Sequence, residues 1–180
     1  MTVIFMYELN IPLGVRTELN VAELKITGKL GSTVKRFNPK YVSVKVNGNK
    51  IFLDASPNKK LTKKSTLAVH SFEAELRAAM EGVEKGIEKK MKILYAHFPM
   101  TIEIKGTKFF IKNMFGERVP RSTSIIGNTK VEVKGQEVHI RGVDQYDVGQ
   151  TIANIRKICY ARGYDTRVFQ DGVYLEEAEE

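Results

Sequence analysis

The chain has 180 residues, of which 29 are Lys or Arg and 21 are Asp or Glu, giving a formal net charge of +8. Hydrophobic residues make up 42% of the chain, which argues against disorder throughout, and the length allows one large domain or two small ones. The single cysteine excludes an internal disulfide, and the basic excess favours a polyanionic partner such as nucleic acid.

The first half of the chain predicts antiparallel strands followed by a helix. Alternating apolar residues around Asn47-Gly48, a pair typical of a tight turn, indicate a hairpin over residues 44–53. Apolar residues at helical spacing then predict a helix that ends near Gly86, and a strand over residues 90–96 closes this half. The apolar face of the helix is formed by Phe72, Leu76, Met80 and Val83.

A basic loop is predicted over residues 56–66, between the hairpin and the helix. Ser, Pro and Asn at residues 56–58 favour a loop, and four lysines follow them. These lysines are Lys59, Lys60, Lys63 and Lys64. They either keep a surface loop soluble or contact phosphate groups, and the sequence leaves both interpretations open.

The second half repeats the order of elements of the first. Residues 26–36 align with residues 111–121, and residues 44–53 align with residues 131–140, with apolar and glycine positions shared. A second helix follows, ending near Gly163, and then a strand over residues 166–174. The apolar face of this helix is formed by Val148, Ile152, Ile155 and Cys159.

The repeat predicts an α+β fold of two tandem duplicated domains, each built mostly of antiparallel strands packed with one main helix. We expect the first domain over residues 1–97 and the second over residues 98–175, followed by an acidic tail at residues 176–180. Apolar runs are short: the run from Val3 to Tyr7 is far below the roughly 20 residues that span a bilayer. We therefore expect no membrane partner, and the single cysteine favours a reducing, cytoplasmic setting.

The sequence offers little support for catalysis, a cofactor or a metal. His70, His97 and His139 lie in different elements and lack partners at zinc-ligand spacing. Cys159, on an apolar helix face, predicts a buried thiol rather than a nucleophile.

Four aspartates could in principle hold a divalent metal for RNA cleavage, although helix capping and turns explain them more simply. They are Asp144, Asp147, Asp165 and Asp171. A small RNA-processing enzyme is thus the weakest of the alternatives.

Basic side chains gather at two places in the second half. One group flanks a glycine turn and the other lies in and after the second helix. The groups are Lys112, Arg118 and Arg121, and then Arg156, Lys157, Arg162 and Arg167. They either contact phosphate, which suits the planar fork of Arg, or only solvate the surface. No aromatic run typical of base stacking is evident, so structured RNA recognised by shape and backbone fits better.

Several segments resemble the archaeal and eukaryotic branch of the large-subunit ribosomal protein six family. Residues 82–92, running into Tyr-Ala-His-Phe-Pro at 95–99, resemble its domain junction. Residues 167–174 are similar to its Arg-x-Phe-x-Asp-Gly-x-Tyr signature. Residues 113–118 resemble its Asn-Phe-Leu-Gly-Glu-Lys loop, and residues 10–15 resemble its Ile-Pro-x-Gly-Val entry.

One turn departs from the family pattern. Gly-Lys-Leu-Gly at residues 28–31 stands where the family usually has Gly-Pro-Lys-Gly.

The resemblance implies a non-catalytic constituent of the large ribosomal subunit that binds ribosomal RNA (rRNA) near the translation-factor binding region and the sarcin-ricin loop. It also implies neighbouring ribosomal proteins, translation factors nearby and a second domain that makes much of the RNA contact. The candidate RNA-binding residues are Lys112, Asn113, Arg118, Arg121, Arg156, Lys157, Arg162, Lys63 and Lys64. The alternative function is an extraribosomal RNA-binding chaperone or regulator.

Overall fold

The structure, a computed structural model, describes residues 6–55 and 63–176 and divides the chain into two compact units, residues 1–86 and 87–180. Each unit combines antiparallel sheets with one main helix, which confirms the predicted α+β class. Residues 177–180 of the predicted acidic tail, and residues 56–62 of the predicted basic loop, lie outside the described residues. Neither helix of the described ranges is long and apolar enough to cross a membrane.

The first unit places one helix against two three-stranded antiparallel sheets. Its strands are β1 Met6–Asn10, β2 Arg16–Leu19, β3 Glu23–Thr27, β4 Ser32–Arg36, β5 Val42–Asn47 and β6 Lys50–Ala55, and its helix is α1 Lys63–Lys85. The sheets have the orders β1-β6-β5 and β2-β3-β4. The predicted apolar face of α1 is buried and contacts both sheets, since its members recur every three or four residues. The predicted turn at Asn47-Gly48 joins β5 to β6, and Gly48 has a φ of +58°.

The second unit repeats this arrangement and adds one strand. Its elements are β7 Ile87–Leu94, β8 Thr101–Lys105, β9 Lys108–Lys112, a 3₁₀ turn Met114–Gly116, β10 Arg121–Ser124, β11 Lys130–Lys134, β12 Glu137–Gly142, α2 Gln145–Ile158 and β13 Gly172–Leu175. The sheets have the orders β10-β9-β8 and β11-β12-β7-β13. Asp144 caps α2 by accepting a hydrogen bond from the backbone N–H of Tyr146 at 2.8 Å. The side chains of α2 bury a core that includes Phe109, Ile111 and Val138.

The strand that the sequence assigns to the end of the first domain belongs to the second unit. Gly86, with a φ of +78°, ends α1, and β7 begins at the next residue. The hydrogen bonds of β7 go to β12 and β13, so the chain divides after Gly86 rather than after His97. β7 is thus the counterpart of β1, which pairs with β6 in the same way.

The second helix is shorter than the sequence predicts, because α2 ends at Ile158 rather than near Gly163. An irregular segment over residues 159–171 follows, and the final strand is confined to Gly172–Leu175. A turn at Asp165 organises this segment, since its carbonyl accepts hydrogen bonds from the backbone N–H groups of Val168 and Phe169. This segment takes part in the candidate site described below.

A glycine at the turn between β3 and β4 is required by close packing against α1. A Cβ atom at Gly28 would lie 2.6 Å from the backbone oxygen of Val83. We expect Gly28→Ala to lower the free energy of unfolding by about 1–3 kcal/mol, measured by urea denaturation. The matched control is Gly149→Ala in α2, where a Cβ meets nothing within 4 Å and should raise stability by about 0.5–1 kcal/mol. Equal midpoints for the two variants would contradict this packing argument.

Candidate nucleic-acid interface

The loop after β9 adopts an unusual backbone conformation. Asn113, Phe115 and Gly116 have φ angles of 58°, 53° and 76°, so three of four successive residues are left-handed. Asn and Gly tolerate this conformation, but a bulky residue such as Phe does so at a cost of about 1–3 kcal/mol. The surrounding structure must therefore hold Phe115 in place.

The side chains of the loop supply part of that restraint. Phe115 is 5% exposed and stacks on Tyr164, with ring centroids 5.2 Å apart and an interplanar angle of 24°. The ring of Phe169 meets the ring of Phe115 edge-on, with centroids 6.1 Å apart. The Asn113 amide donates a hydrogen bond to the carbonyl of Pro99 at 3.0 Å. The loop is thus fixed at both its apolar and its polar positions.

Arg121 supplies the remaining restraint and joins the loop to the end of α2. Its Nε and Nη2 atoms donate to the two carboxylate oxygens of Glu117 at 2.8 and 2.5 Å. Its Nη1 donates to the carbonyls of Ile158 and Tyr160 at 2.7 and 2.9 Å. The guanidinium lies 5.5 Å from the ring centroid of Phe115. Arg121 therefore satisfies carbonyls at the C-terminal end of α2 while it clamps the loop.

This geometry changes the role expected of Arg121. The sequence predicts a phosphate contact, whereas the guanidinium side chain is only 18% exposed and is directed at partners within the protein. A phosphate would have to displace one of those partners. We assign Arg121 to positioning the loop.

Lys112 also has a partner within the unit. Its Nζ lies 2.5 Å from a carboxylate oxygen of Glu103, and this hydrogen bond lowers the pKa of Glu103. The Lys112 side chain remains 43% exposed, so it can still face a ligand.

The other candidate basic residues of the second unit are exposed to solvent. Arg118 follows the loop, Arg156 and Lys157 lie in the last turn of α2, and Arg162 lies in the irregular segment. All four side chains are exposed, and none forms an ion pair with another side chain in the described ranges. Because Arg121 joins the loop to the end of α2, these segments form one surface. We call residues 112–121 and 156–167 the basic surface.

Lys63 and Lys64 do not belong to the basic surface. They lie exposed in the first turn of α1, in the other unit, so this part of the predicted basic loop is helical.

The sequence did not reveal the aromatic cluster beneath the basic surface. Phe115, Tyr164, Phe169 and His97 contact one another in a chain, with Tyr164 and Phe169 centroids 5.0 Å apart and His97 and Phe169 centroids 5.3 Å apart. These residues come from three segments separated along the chain, so no local run of aromatics exists to signal them. The spacing of apolar positions along the chain could not have identified the cluster.

The aspartates and the cysteine take structural positions. Asp165 accepts a hydrogen bond from the backbone N–H of Arg167 at 2.9 Å, and Asp171 accepts one from that of Ala96 at 2.7 Å. Among the residues that the structure describes, no group of three His, Cys, Asp or Glu side chains could hold a metal ion. Burial raises the pKa of the Cys159 thiol to about 11, so it stays protonated at neutral pH.

Comparison with known proteins identifies close relatives. Residues 98–172 match the family described as Ribosomal protein L6. The chain is 40% identical over 172 residues to the large ribosomal subunit protein uL6 of Picrophilus torridus, covering 96% of this chain and 94% of that protein. It is 38% identical to uL6 of Methanocella arvoryzae, covering 93% of this chain and 94% of that protein. It is 37% identical to uL6 of Thermoplasma acidophilum, with coverage of 93% and 92%.

Replacing Arg121 tests its positioning role. We expect Arg121→Ala to lower the free energy of unfolding by about 1–3 kcal/mol, because the Glu117 carboxylate and two helix-end carbonyls lose a donor. Urea denaturation measures this change, with the exposed Arg118→Ala variant as the matched control. A similar midpoint for both variants would refute the clamp.

The Glu117–Arg121 ion pair also predicts a pH dependence. The hydrogen bond from Arg121 lowers the pKa of Glu117 below its ordinary value of 4.5. A lowered pKa in the folded state stabilises the protein above the unfolded value, and this contribution disappears as pH falls through the folded value. The difference in free energy of unfolding between the wild type and Glu117→Gln should therefore stay constant from pH 7 to about pH 5. It should disappear in stronger acid. Glu132→Gln, at an exposed ion pair of 4.0 Å, serves as control; a difference that persists at pH 2 would contradict the argument.

Proposed function

The chain belongs to the uL6 family of large ribosomal subunit proteins, and we propose that it binds large-subunit rRNA through the basic surface of its second unit. This membership confirms the prediction of a ribosomal protein rather than an enzyme. The observation that carries the RNA-binding proposal is the group of exposed basic side chains that a rigid loop and a helix end bring together.

Charge supports a phosphate ligand at this surface. The basic surface contains seven basic and two acidic side chains. One of the acids, Glu117, is neutralised by Arg121. Arg118, Arg156, Lys157 and Arg162 are exposed and are not engaged by carboxylates in the described ranges, so they can donate to phosphate oxygens without breaking an ion pair.

The rigidity of the loop supports the same proposal. Hydrogen bonds and packed rings restrain the loop from Asn113 to Glu117 before any ligand binds, so little backbone entropy of the loop is lost on binding. This suits recognition of a structured RNA by shape and backbone.

We further propose that the protein lies near the translation-factor binding region of cytoplasmic ribosomes, beside other ribosomal proteins. Lys63 and Lys64, exposed at the start of α1, are proposed as a second and separate phosphate contact. Both proposals rest on family membership and on the placement of charge.

Salt titration tests the proposal. Binding of purified large-subunit rRNA from the source organism should weaken linearly in log affinity as log salt rises. Arg118→Ala and Arg156→Ala should each flatten that slope by roughly 0.7–0.9, because each removes one phosphate contact. Filter binding over roughly 50–500 mM KCl measures this slope.

The matched control is Lys45→Ala, which removes an exposed lysine of β5 outside the basic surface and should leave the slope unchanged. Salt-independent binding would overturn the electrostatic proposal. Loss of the protein from large subunits in high-salt sucrose gradients, with rRNA binding intact, would favour the extraribosomal alternative.

A further inference from the structure

An exposed aromatic ring stands at the outer end of the aromatic cluster. Tyr164 is 40% exposed, and its ring stacks nearly parallel on the buried ring of Phe115. One face of Tyr164 is therefore covered, and its exposed area lies away from Phe115. The same chain segment carries the exposed arginines Arg162 and Arg167.

Neighbouring residues restrain the ring of Tyr164. Phe169 supports it from a second side, with centroids 5.0 Å apart and planes tilted by 56°. The Asp165 turn fixes the chain immediately after Tyr164 through hydrogen bonds to the backbone of Arg167, Val168 and Phe169. A ring restrained in this way loses little freedom when a second ring stacks on it.

The charge around the ring selects the kind of ligand. Arg162 and Arg167 lie two and three residues from Tyr164 in the chain, and Arg118 lies three residues after Phe115. All three side chains are exposed. Aromatic rings flanked by arginines are the usual means of binding unpaired nucleotides, because the rings stack on bases while the arginines hold phosphates.

We propose that the exposed face of Tyr164 stacks on an unpaired base of large-subunit rRNA, with Arg162 and Arg167 holding the adjoining phosphates. This inference rests on the proposed function, since it requires rRNA at the basic surface. It adds a stacking contact that does not depend on salt to a surface otherwise explained by charge. An apolar protein segment is the competing occupant.

Affinity measurements test the stacking contact. Tyr164→Leu should weaken rRNA binding by about 5- to 100-fold at every salt concentration, while the salt slope stays the same because no charge is lost. Tyr164→Phe keeps the ring and should bind within about twofold of the wild type. The matched control is Tyr146→Leu, at a tyrosine that is 68% exposed in the first turn of α2, at the opposite end of that helix.

A fluorescence measurement covers the case in which Tyr164→Leu does not fold. The chain contains no tryptophan, so Tyr164→Trp introduces a single indole at the proposed contact. Its emission should be quenched when purified large-subunit rRNA is added, and the emission of the control Tyr146→Trp should not change.

The outcomes separate this inference from the proposed function. If the wild type shows no salt-dependent rRNA binding, both proposals fail. If binding is salt-dependent but Tyr164→Leu matches Tyr146→Leu, or the indole at position 164 is not quenched, only the stacking contact is overturned. An indole at position 164 that responds in assembled subunits but not to rRNA would assign the ring to a protein neighbour.

Discussion

The surface of the second unit depends on the contacts that the guanidinium of Arg121 makes. This group binds both oxygens of Glu117, two carbonyls at the end of α2 and the face of Phe115. A loop with left-handed residues, a helix end and an irregular segment are thereby held as one body. Planar geometry explains why Arg fills this position, since an ammonium group could not reach partners in so many fixed directions.

Arg121 and the exposed basic residues have different roles. The arginine with the most partners is the least free to meet a ligand, while Arg118 and Arg162 remain exposed beside it. Total charge therefore overstates the number of basic groups that are free to meet a phosphate. The same arrangement holds Tyr164 against Phe115, so an exposed ring and exposed charges share one scaffold.

The sequence predicted the fold class because both copies place apolar residues and glycines at matching positions. It misplaced β7, because a strand's alternation does not say which sheet its hydrogen bonds join. It predicted two groups of basic residues in the second half, and the structure joins the segments that carry them through Arg121. It could not assign Arg121, whose carbonyl partners lie 37 and 39 residues away, nor the aromatic cluster, whose rings come from three segments.

The position of β7 has a consequence for synthesis of the chain. In the first unit, all described strands and α1 precede Gly86, so that unit can fold while later residues are still being made. In the second unit, the first strand to be made is an inner strand of the four-stranded sheet, and its partner β13 comes last. Until Gly172–Leu175 leaves the ribosome that makes it, one edge of β7 stays open to other unpaired strands. The larger sheet of the second unit is thus complete only when its last strand has been made.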